Sequence, residues 1–564
     1  MKKIRVLLLI LLAIWTAQAS ADFRRPVRAP HGMVVSTSEY ASQVGVAILK
    51  QGGNAVDAAV AVGFALAVVH PQAGNLGGGG FMVVRLPDGT TTTFDYREKA
   101  PLKAHRDMYL DKDGNVIPEL SRVGYLASGV PGSVAGLYLA HKRFGRLPWK
   151  KGVEPAIGLA KKGFVVSNGL SRSVRRATKI FARFPSSAEI FLPGGEALKE
   201  GQLFVQKDLA HTLELIAKKG PDGFYRGEVA DRIVKQMQAN GGLITHEDLE
   251  NYRAVERPPV TGTYRGYKII SMGPPSSGGL CLINTLNILE GFDLAKYPPY
   301  SAESIHLIVE SMKRAYADRA EFMGDIDFFP VPVDSLLSKA YAARRRREID
   351  PYRATPSDQI HHGNIPVPES PQTTHYSVVD AEGMAVSTTT TLNSSFGSKV
   401  VIKGAGFLMN NEMDDFSAKP GFPNIYGLVG GEANSIQPGK RMLSSMTPTI
   451  VTKHDSLWVV IGTPGGSTII SQVLVALINM MDYGMNVAEA INAPKFHHQW
   501  LPDRLLYEPY GLWKDTVDHL RAMGHNPVPR NYGYGDLMGI QIELSTGVRT
   551  GFADPRHEGR AIGY

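Results

Sequence analysis

The sequence predicts a mixed α and β fold, and three observations carry that prediction. Ala55 to Val69 is a fifteen-residue stretch, apolar nearly all round, with Asn54 placed to cap it and His70-Pro71 to stop it. Two stretches, Phe81 to Tyr96 and Thr374 to Leu392, read as strand–turn–strand hairpins. Between about 350 and 372 the chain becomes Pro-rich and loses periodicity, then turns abruptly strand-like. At 564 residues it buries a core easily, as two or three domains or as one large one.

The first 21 residues read as an export signal. Lys2, Lys3 and Arg5 precede an apolar run from Val6 to Trp15, which is too short to span a bilayer. Small-x-small sites follow at Ala17-Gln18-Ala19 and Ala19-Ser20-Ala21, so cleavage is expected after Ala19 or Ala21, leaving a periplasmic or secreted protein without a stable membrane anchor. Removing the signal lowers the formal charge from +8 to +5, because it carries three basic residues and no acidic one. So mild a charge argues against a nucleic-acid partner. The single Cys281 excludes an intrachain disulfide and reads as a buried small hydrophobe.

Ser38 to Lys50 has helical spacing and ends at Gly52-Gly53; with Asp57 inside, Ala55 to Val69 is a core helix. Gly77 to Gly80 leads into Phe81 to Leu86, a Pro87-Asp88-Gly89 turn, and Thr90 to Tyr96, ending at Arg97. Residues 130 to 340 are mostly helical in pattern. Arg344 to Arg347 reads as a solvated helix end, and residues 350 to 372 as a loose linker.

After the linker, Thr374 to Val379 and Met384 to Leu392 flank Asp380-Ala381-Glu382-Gly383. A three-residue loop with Gly383 left-handed puts Asp380 opposite Met384 and, by counting back, Thr373 opposite Thr391, with Asn393 on the same face. A threonine at a new chain terminus is a self-contained catalyst, because its own α-amine, pKa about 7.7 to 8.0, accepts the hydroxyl proton. Such a terminus arises if the Thr373 hydroxyl attacks the carbonyl of Gln372 and water opens the resulting ester. The dipeptide alone is ordinary strand filler; its context is not.

Part of that context is Gly462 to Ser467. Leu457 to Ile461 reads as a buried strand and Ser467 to Met481 as a helix capped by Ser467, so Gly465 and Gly466 lie on a strand-to-helix turn whose N–H groups suit an oxyanion. Asn410 to Phe416 supplies acceptors suited to a substrate ammonium; Ser444-Ser445 with Arg97 supplies donors suited to a carboxylate. No cofactor or metal is expected: neither Asn410 to Asp415 nor His497-His498 has ligand spacing, and Gly77 to Gly80 follows a helix and precedes a strand, the reverse of a dinucleotide fingerprint.

With these residues in place, the chain resembles the γ-glutamyltranspeptidases, N-terminal-nucleophile hydrolases, from about residue 27 to its end. The likeness rests on Gly52 to Ala59, Gly77 to Phe81, Thr373 to Val378, Thr390-Thr391-Leu392-Asn393, Asn410 to Phe416, Leu443 to Met446 and Pro464-Gly465-Gly466. It implies an α+β fold, a four-layer αββα sandwich, and self-cleavage between Gln372 and Thr373. The products would be a large subunit, residues 22–372, and a small one, 373–564, forming one intertwined heterodimer. It implies that glutathione and other γ-glutamyl compounds acylate Thr373, and that the acyl group passes to water, amino acids or peptides. By the same resemblance Thr391 supports Thr373 and the N–H groups of Gly465 and Gly466 hold the oxyanion. Arg97, Ser444 and Ser445 hold the α-carboxylate; Asn393, Glu412 and Asp415 hold the α-amine; and the segment from Pro420 to Gly431, with Tyr426, forms a lid. The arginine run matches no feature of the family.

Two alternatives remain. A cephalosporin or glutaryl acylase shares fold and nucleophile but need not hold an α-amine, so Asp415 favours γ-glutamyl substrates. A silent γ-glutamyl-peptide-binding protein needs the pocket without the cleavage.

Overall fold

The computed structural model describes residues 24–362, 374–419, 422, 424–425, 432–530 and 534–564. Two seven-stranded sheets are built from neighbours that all pair antiparallel. The first runs, in spatial order, Arg560–Gly563, Met33–Ser36, Thr374–Val379, Ala385–Thr391, Gly79–Arg85, Thr91–Asp95 and Val255–Arg257. The second runs Val27–Ala29, Arg549–Ala553, Met538–Ile542, Ser456–Gly462, Thr449–Lys453, Tyr267–Ser271 and Val260–Tyr264. Their facing sides close on Met33, Val35, Val83, Ile270, Val379, Ile450, Val460 and Ile540. Helices cover both outer faces, so the order of layers is αββα, as the resemblance implies.

Over the first sheet lies Ala55–Val69, with every residue buried, as its all-round apolar character requires. It starts with a capping box: Asn54 Oδ1 accepts the N–H groups of Val56 and Asp57 at 3.0 Å, and Asp57 Oδ2 accepts that of Asn54 at 3.0 Å. Gly278–Leu289, Ala302–Phe322 and Thr468–Met481 cover the second sheet. Both sheets mix strands from before and after residue 373. Neither half of the chain could close a sheet by itself.

Three expectations need correction. The arginine run closes the helix Lys339–Arg347, but only part of it is solvated. Arg345 is buried and meets Asp318 at 3.3 Å, while Arg346 donates to the carbonyls of Ile288 and Asn287 at 2.7 and 2.8 Å, closing the end of Gly278–Leu289. The stretch expected as a loose linker is pinned over its first part. Asp350 O meets His306 Nε2 at 2.7 Å, the Ala354 N–H reaches Met523 O at 2.7 Å, and Trp500 Nε1 donates to Ser357 O and Ile360 O at 2.7 and 3.0 Å. Third, Ser467 has helical backbone angles and caps nothing with its side chain. Cys281 is buried as expected, and burial pushes its thiol up to about 12. Among the described residues no helix is long and apolar enough to cross a membrane.

Candidate active site

The Thr374–Val379 and Ala385–Thr391 strands pair in the register predicted from the loop. Thr374 faces Thr390, the Asp380 N–H reaches Met384 O at 3.1 Å, and Gly383 has φ +85°. Gln372, Thr373 and Tyr426 lie outside the described residues. Thr391 ends its strand. Its Oγ1 accepts the Asn393 N–H at 2.7 Å, and its carbonyl accepts Asn75 Nδ2 at 2.8 Å. Strand alternation does not extend to Asn393, which turns left-handed at φ +72° and donates from Nδ2 to Asn411 O at 2.9 Å. The chain is thereby folded back onto the Asn410 to Asp415 loop.

That loop closes as a short 3₁₀ turn, Glu412–Asp415, wholly buried. Arg97, at the end of the first predicted hairpin, reaches into it. Its Nη1 lies 2.5 Å from Glu412 Oε2, and its Nη2 donates to Asp415 Oδ2. Its Nε and Nη2 also donate to the carbonyls of Met442 and Leu443 at 3.2 and 3.1 Å, which ties it to the Ser444-Ser445 loop. Glu98 adds a third carboxylate at 3.5 Å. One guanidinium therefore faces three buried carboxylates. Burial pushes Glu412 up to about 8, with Arg97 opposing and Glu98 reinforcing the shift. Glu98 is likewise pushed to about 8, first by burial. Arg97 is raised, because its carboxylate neighbours outweigh the cost of burial.

In the loop before Thr449–Lys453, Ser445 Oγ accepts Arg319 Nη2 at 2.7 Å from the helix Ala302–Phe322, and Arg319 Nε donates to Ser277 Oγ at 2.6 Å. Ser444 Oγ accepts the Met446 N–H at 3.1 Å. The turn after Ser456–Gly462 has Gly465 at φ +135° and Gly466 at φ +70°. Thr468 Oγ1, rather than Ser467, ties the turn to the helix by donating to Gly465 O at 2.6 Å, and it accepts Gln472 Nε2 at 2.8 Å. A Cβ at Gly465 would sit 2.7 Å from that nitrogen. Neither the Gly465 nor the Gly466 N–H finds an acceptor among the described residues. Two preorganised donors without partners suit a developing oxyanion.

The two sheets are linked by His375. Its ring nitrogens meet Thr389 Oγ1 at 2.9 Å and Ser377 Oγ at 3.0 Å, and burial pushes it down to about 3, so it is neutral. The ring packs on Gly462.

A model of the γ-glutamyltranspeptidase family matches residues 41–564. The chain belongs to that family. Within it, the glutathione hydrolase proenzyme of Escherichia coli strain K12 is 53% identical over 536 residues, covering 95% of this chain and 92% of that one. The acylase ACY 1 proenzyme of Pseudomonas sp. strain SE83 is 39% identical, covering 96% of each. Among solved structures, cephalosporin acylase from Bacillus halodurans superposes with a TM-score of 0.88 at 28% identity, covering 97% of this chain and 98% of that one. Helicobacter pylori γ-glutamyltranspeptidase is 51% identical with a TM-score of 0.58, over 58% of this chain and 94% of that one.

For this family member, sequence reasoning missed Asn75, Glu98, Arg319 and Asn434. Asn75 also accepts the Gly78 N–H at 3.0 Å and Ser133 Oγ at 2.6 Å, and Asn434 bridges Asp415 O to the Leu443 N–H. Asn75, just after Gly74 and two positions before the Gly77 to Gly80 run, was the one visible hint. His306, Glu310 and His525 bring possible metal-ligand atoms together. Glu310, however, is held by Lys313 and Arg314 at 2.7 and 2.8 Å, and the two imidazoles bond each other at 2.8 Å, so the cluster already satisfies itself as an anchor for residue 350.

Proposed function

We propose that the chain is an exported precursor that cuts itself before Thr373 and then works as a γ-glutamyltransferase and glutathione hydrolase. In the first step the Thr373 hydroxyl attacks the Gln372 carbonyl. The peptide C–N bond breaks as an ester forms, and water opens the ester, leaving Gln372 as a carboxylate and Thr373 with a free amine. In turnover that amine takes the hydroxyl proton, directly or through one water, while the oxygen attacks the γ-carbonyl. The N–H groups of Gly465 and Gly466 stabilise the negative oxygen, and the leaving amine departs with a proton. Water or the amine of an amino acid or peptide then takes the γ-glutamyl group and frees Thr373.

The observation that carries this reading is the Arg97 cluster. Arg97 faces Glu98, Glu412 and Asp415, and even with the buried Arg319 acting on Asp415 the carboxylates, some of them protonated, outnumber the guanidiniums. An α-amino-acid head group brings one cation and one anion. Its carboxylate takes Arg97, with Ser444 and Ser445, and its ammonium takes Glu412, Asp415 and Asn393, so each charge gains a partner. The segment holding Tyr426 would cover the pocket and limit water entry. The working protein would then be a heterodimer of residues 22–372 and 373–564.

N-terminal sequencing of the smaller fragment should begin at Thr373, and Thr373→Ala should run as one band on a denaturing gel, without turnover. Two fragments from that variant would remove Thr373 as the cleaving residue. The acylase relative favours a second reading. A strong preference for glutaryl over γ-glutamyl anilides would establish it, whereas Asp415 argues for the reverse.

A further inference from the structure

Beside the Arg97 cluster the fold holds a groove of about 490 Å³ with no assigned occupant. Arg122, Arg176, Ser394, Ser395, Lys399 and Ile425 line it. Ser394 follows Asn393 directly, and both its N–H and Oγ reach Asn411 Oδ1 at 3.0 Å, so the groove and the γ-glutamyl site share a wall. Asp414 fastens the other side, holding Arg122 Nε at 3.3 Å and the Ile425 N–H at 3.2 Å.

Its distinguishing residue is Lys399. The side chain is buried, yet its Nζ reaches only neutral oxygens, Ser394 Oγ at 2.8 Å and Gly397 O at 2.5 Å. Among the described residues no carboxylate lies within ion-pair distance of it, nor of Arg176. A buried cation without a counter-ion is costly. The backbone adds to that cost, since Lys399 is left-handed at φ +67°. Two unfavourable features retained at one residue beside a reaction site point to a missing anion.

We propose that this groove is the subsite for the peptide that leaves or accepts the γ-glutamyl group, with Lys399, Ser394 and Arg176 receiving its α-carboxylate. The proposal rests on the function proposed above. The reach fits: Ser394 is three residues from Thr391, at most about 10 Å of chain, and an extended dipeptide spans about 7 Å. A neutral leaving group would gain nothing from these cations, whereas a peptide carboxylate would give Lys399, the buried cation that lines this groove, a counter-ion.

The test compares glutathione with its C-terminal glycinamide. The wild-type enzyme should favour the carboxylate in kcat/KM by about ten-fold, the factor expected of a hydrogen bond to a charged group. Lys399→Gln should bring the ratio close to one, and Lys399→Arg should keep it. Should Lys399→Gln fail to fold or process, the wild type still decides. Burial pushes the Lys399 ammonium down to about 8, so it is charged below that pH and neutral above. The ratio should therefore fall as pH rises through about 8, toward a residue set by Arg122 and Arg176, with Glu119 the one facing carboxylate. A wild type indifferent to amidation, or a Lys399→Gln with an undiminished ratio, overturns the subsite. Wild-type failure on γ-glutamyl anilides, which carry no peptide carboxylate, would instead remove the function beneath it, and the subsite with it.

Discussion

Replacing Gly462 with alanine isolates the contact between the two sheets. The new methyl would stand 2.8 Å from His375 Nε2 and closer still to Cε1 and Nδ1. The imidazole has no free direction, because Thr389 and Ser377 hold both nitrogens and the residue is fully buried. Restoring ordinary van der Waals separation requires about 1 Å of movement, shared between the strands bearing His375 and Gly462. Overpacking of this kind costs about 1–3 kcal/mol of stability. The larger effect is on turnover. His375 follows Thr373, the proposed nucleophile, by two positions in the sequence, and Gly462 ends the strand that leads into the Gly465-Gly466 turn. A 1 Å offset between nucleophile and oxyanion donors costs about 10²-fold. Hydrolysis of γ-glutamyl-p-nitroanilide should show the loss mainly in kcat, and urea titration should show the destabilisation. The same substitution made in a His375→Ala background should cost far less, since the clash is gone. Wild-type kcat in Gly462→Ala, or an equal penalty in both backgrounds, would refute the reasoning.

If Asp415 holds the substrate ammonium as proposed, Asp415→Asn should weaken kcat/KM for γ-glutamyl anilide by about ten- to a hundred-fold, the loss of one charged hydrogen bond; steady-state kinetics against the glutaryl anilide measure the shift in preference. Glu412, pushed up to about 8, keeps its proton in the folded chain after the unfolded chain has released its own. Its stability contribution is therefore full below about pH 4.5 and lost as pH rises through about 8. Glu412→Gln should flatten part of that decline in thermal midpoint, while Glu98 and the other carboxylates raised by burial, Asp536 among them, keep their share. Thr468→Val removes the hydroxyl that ties Gly465 O to the helix and should lower kcat about ten-fold with little change in KM, read from the same anilide kinetics.

Legibility in the sequence followed distance along the chain. The Ala55–Val69 helix has the predicted bounds because its signals are local: a capping box across four residues and a His-Pro stop. The hairpin register is local too, fixed by one glycine with positive φ at position 383. The charged residues Arg97, Glu412 and Asp415 were legible only as types suited to a head group, with the resemblance supplying their pairing, and the structure brings them into contact. What stayed hidden depends on partners far away. Arg319 reaches Ser445 across 126 positions from a helix whose other buried charges look no different, and Arg345 finds Asp318 only once two helices pack. Ser467 does precede Thr468–Met481 at the cap position, but its side chain caps nothing, and the hydroxyl that fastens the turn is that of Thr468, a choice that backbone angles make and the sequence does not show.

The interleaving of strands from both sides of residue 373 has a consequence for the life of the molecule. Four of the seven strands in the first sheet come from before residue 373, and two of them, Met33–Ser36 and Gly79–Arg85, pair with Thr374–Val379 and Ala385–Thr391, so a break before Thr373 parts a bond without parting the body. A precursor can find this arrangement because its halves are tethered. Once the tether is cut, melted fragments must meet again in solution, each without a complete sheet to fold upon. Scission would thus convert a reversible folder into a protein whose endurance is governed by how slowly it first comes apart.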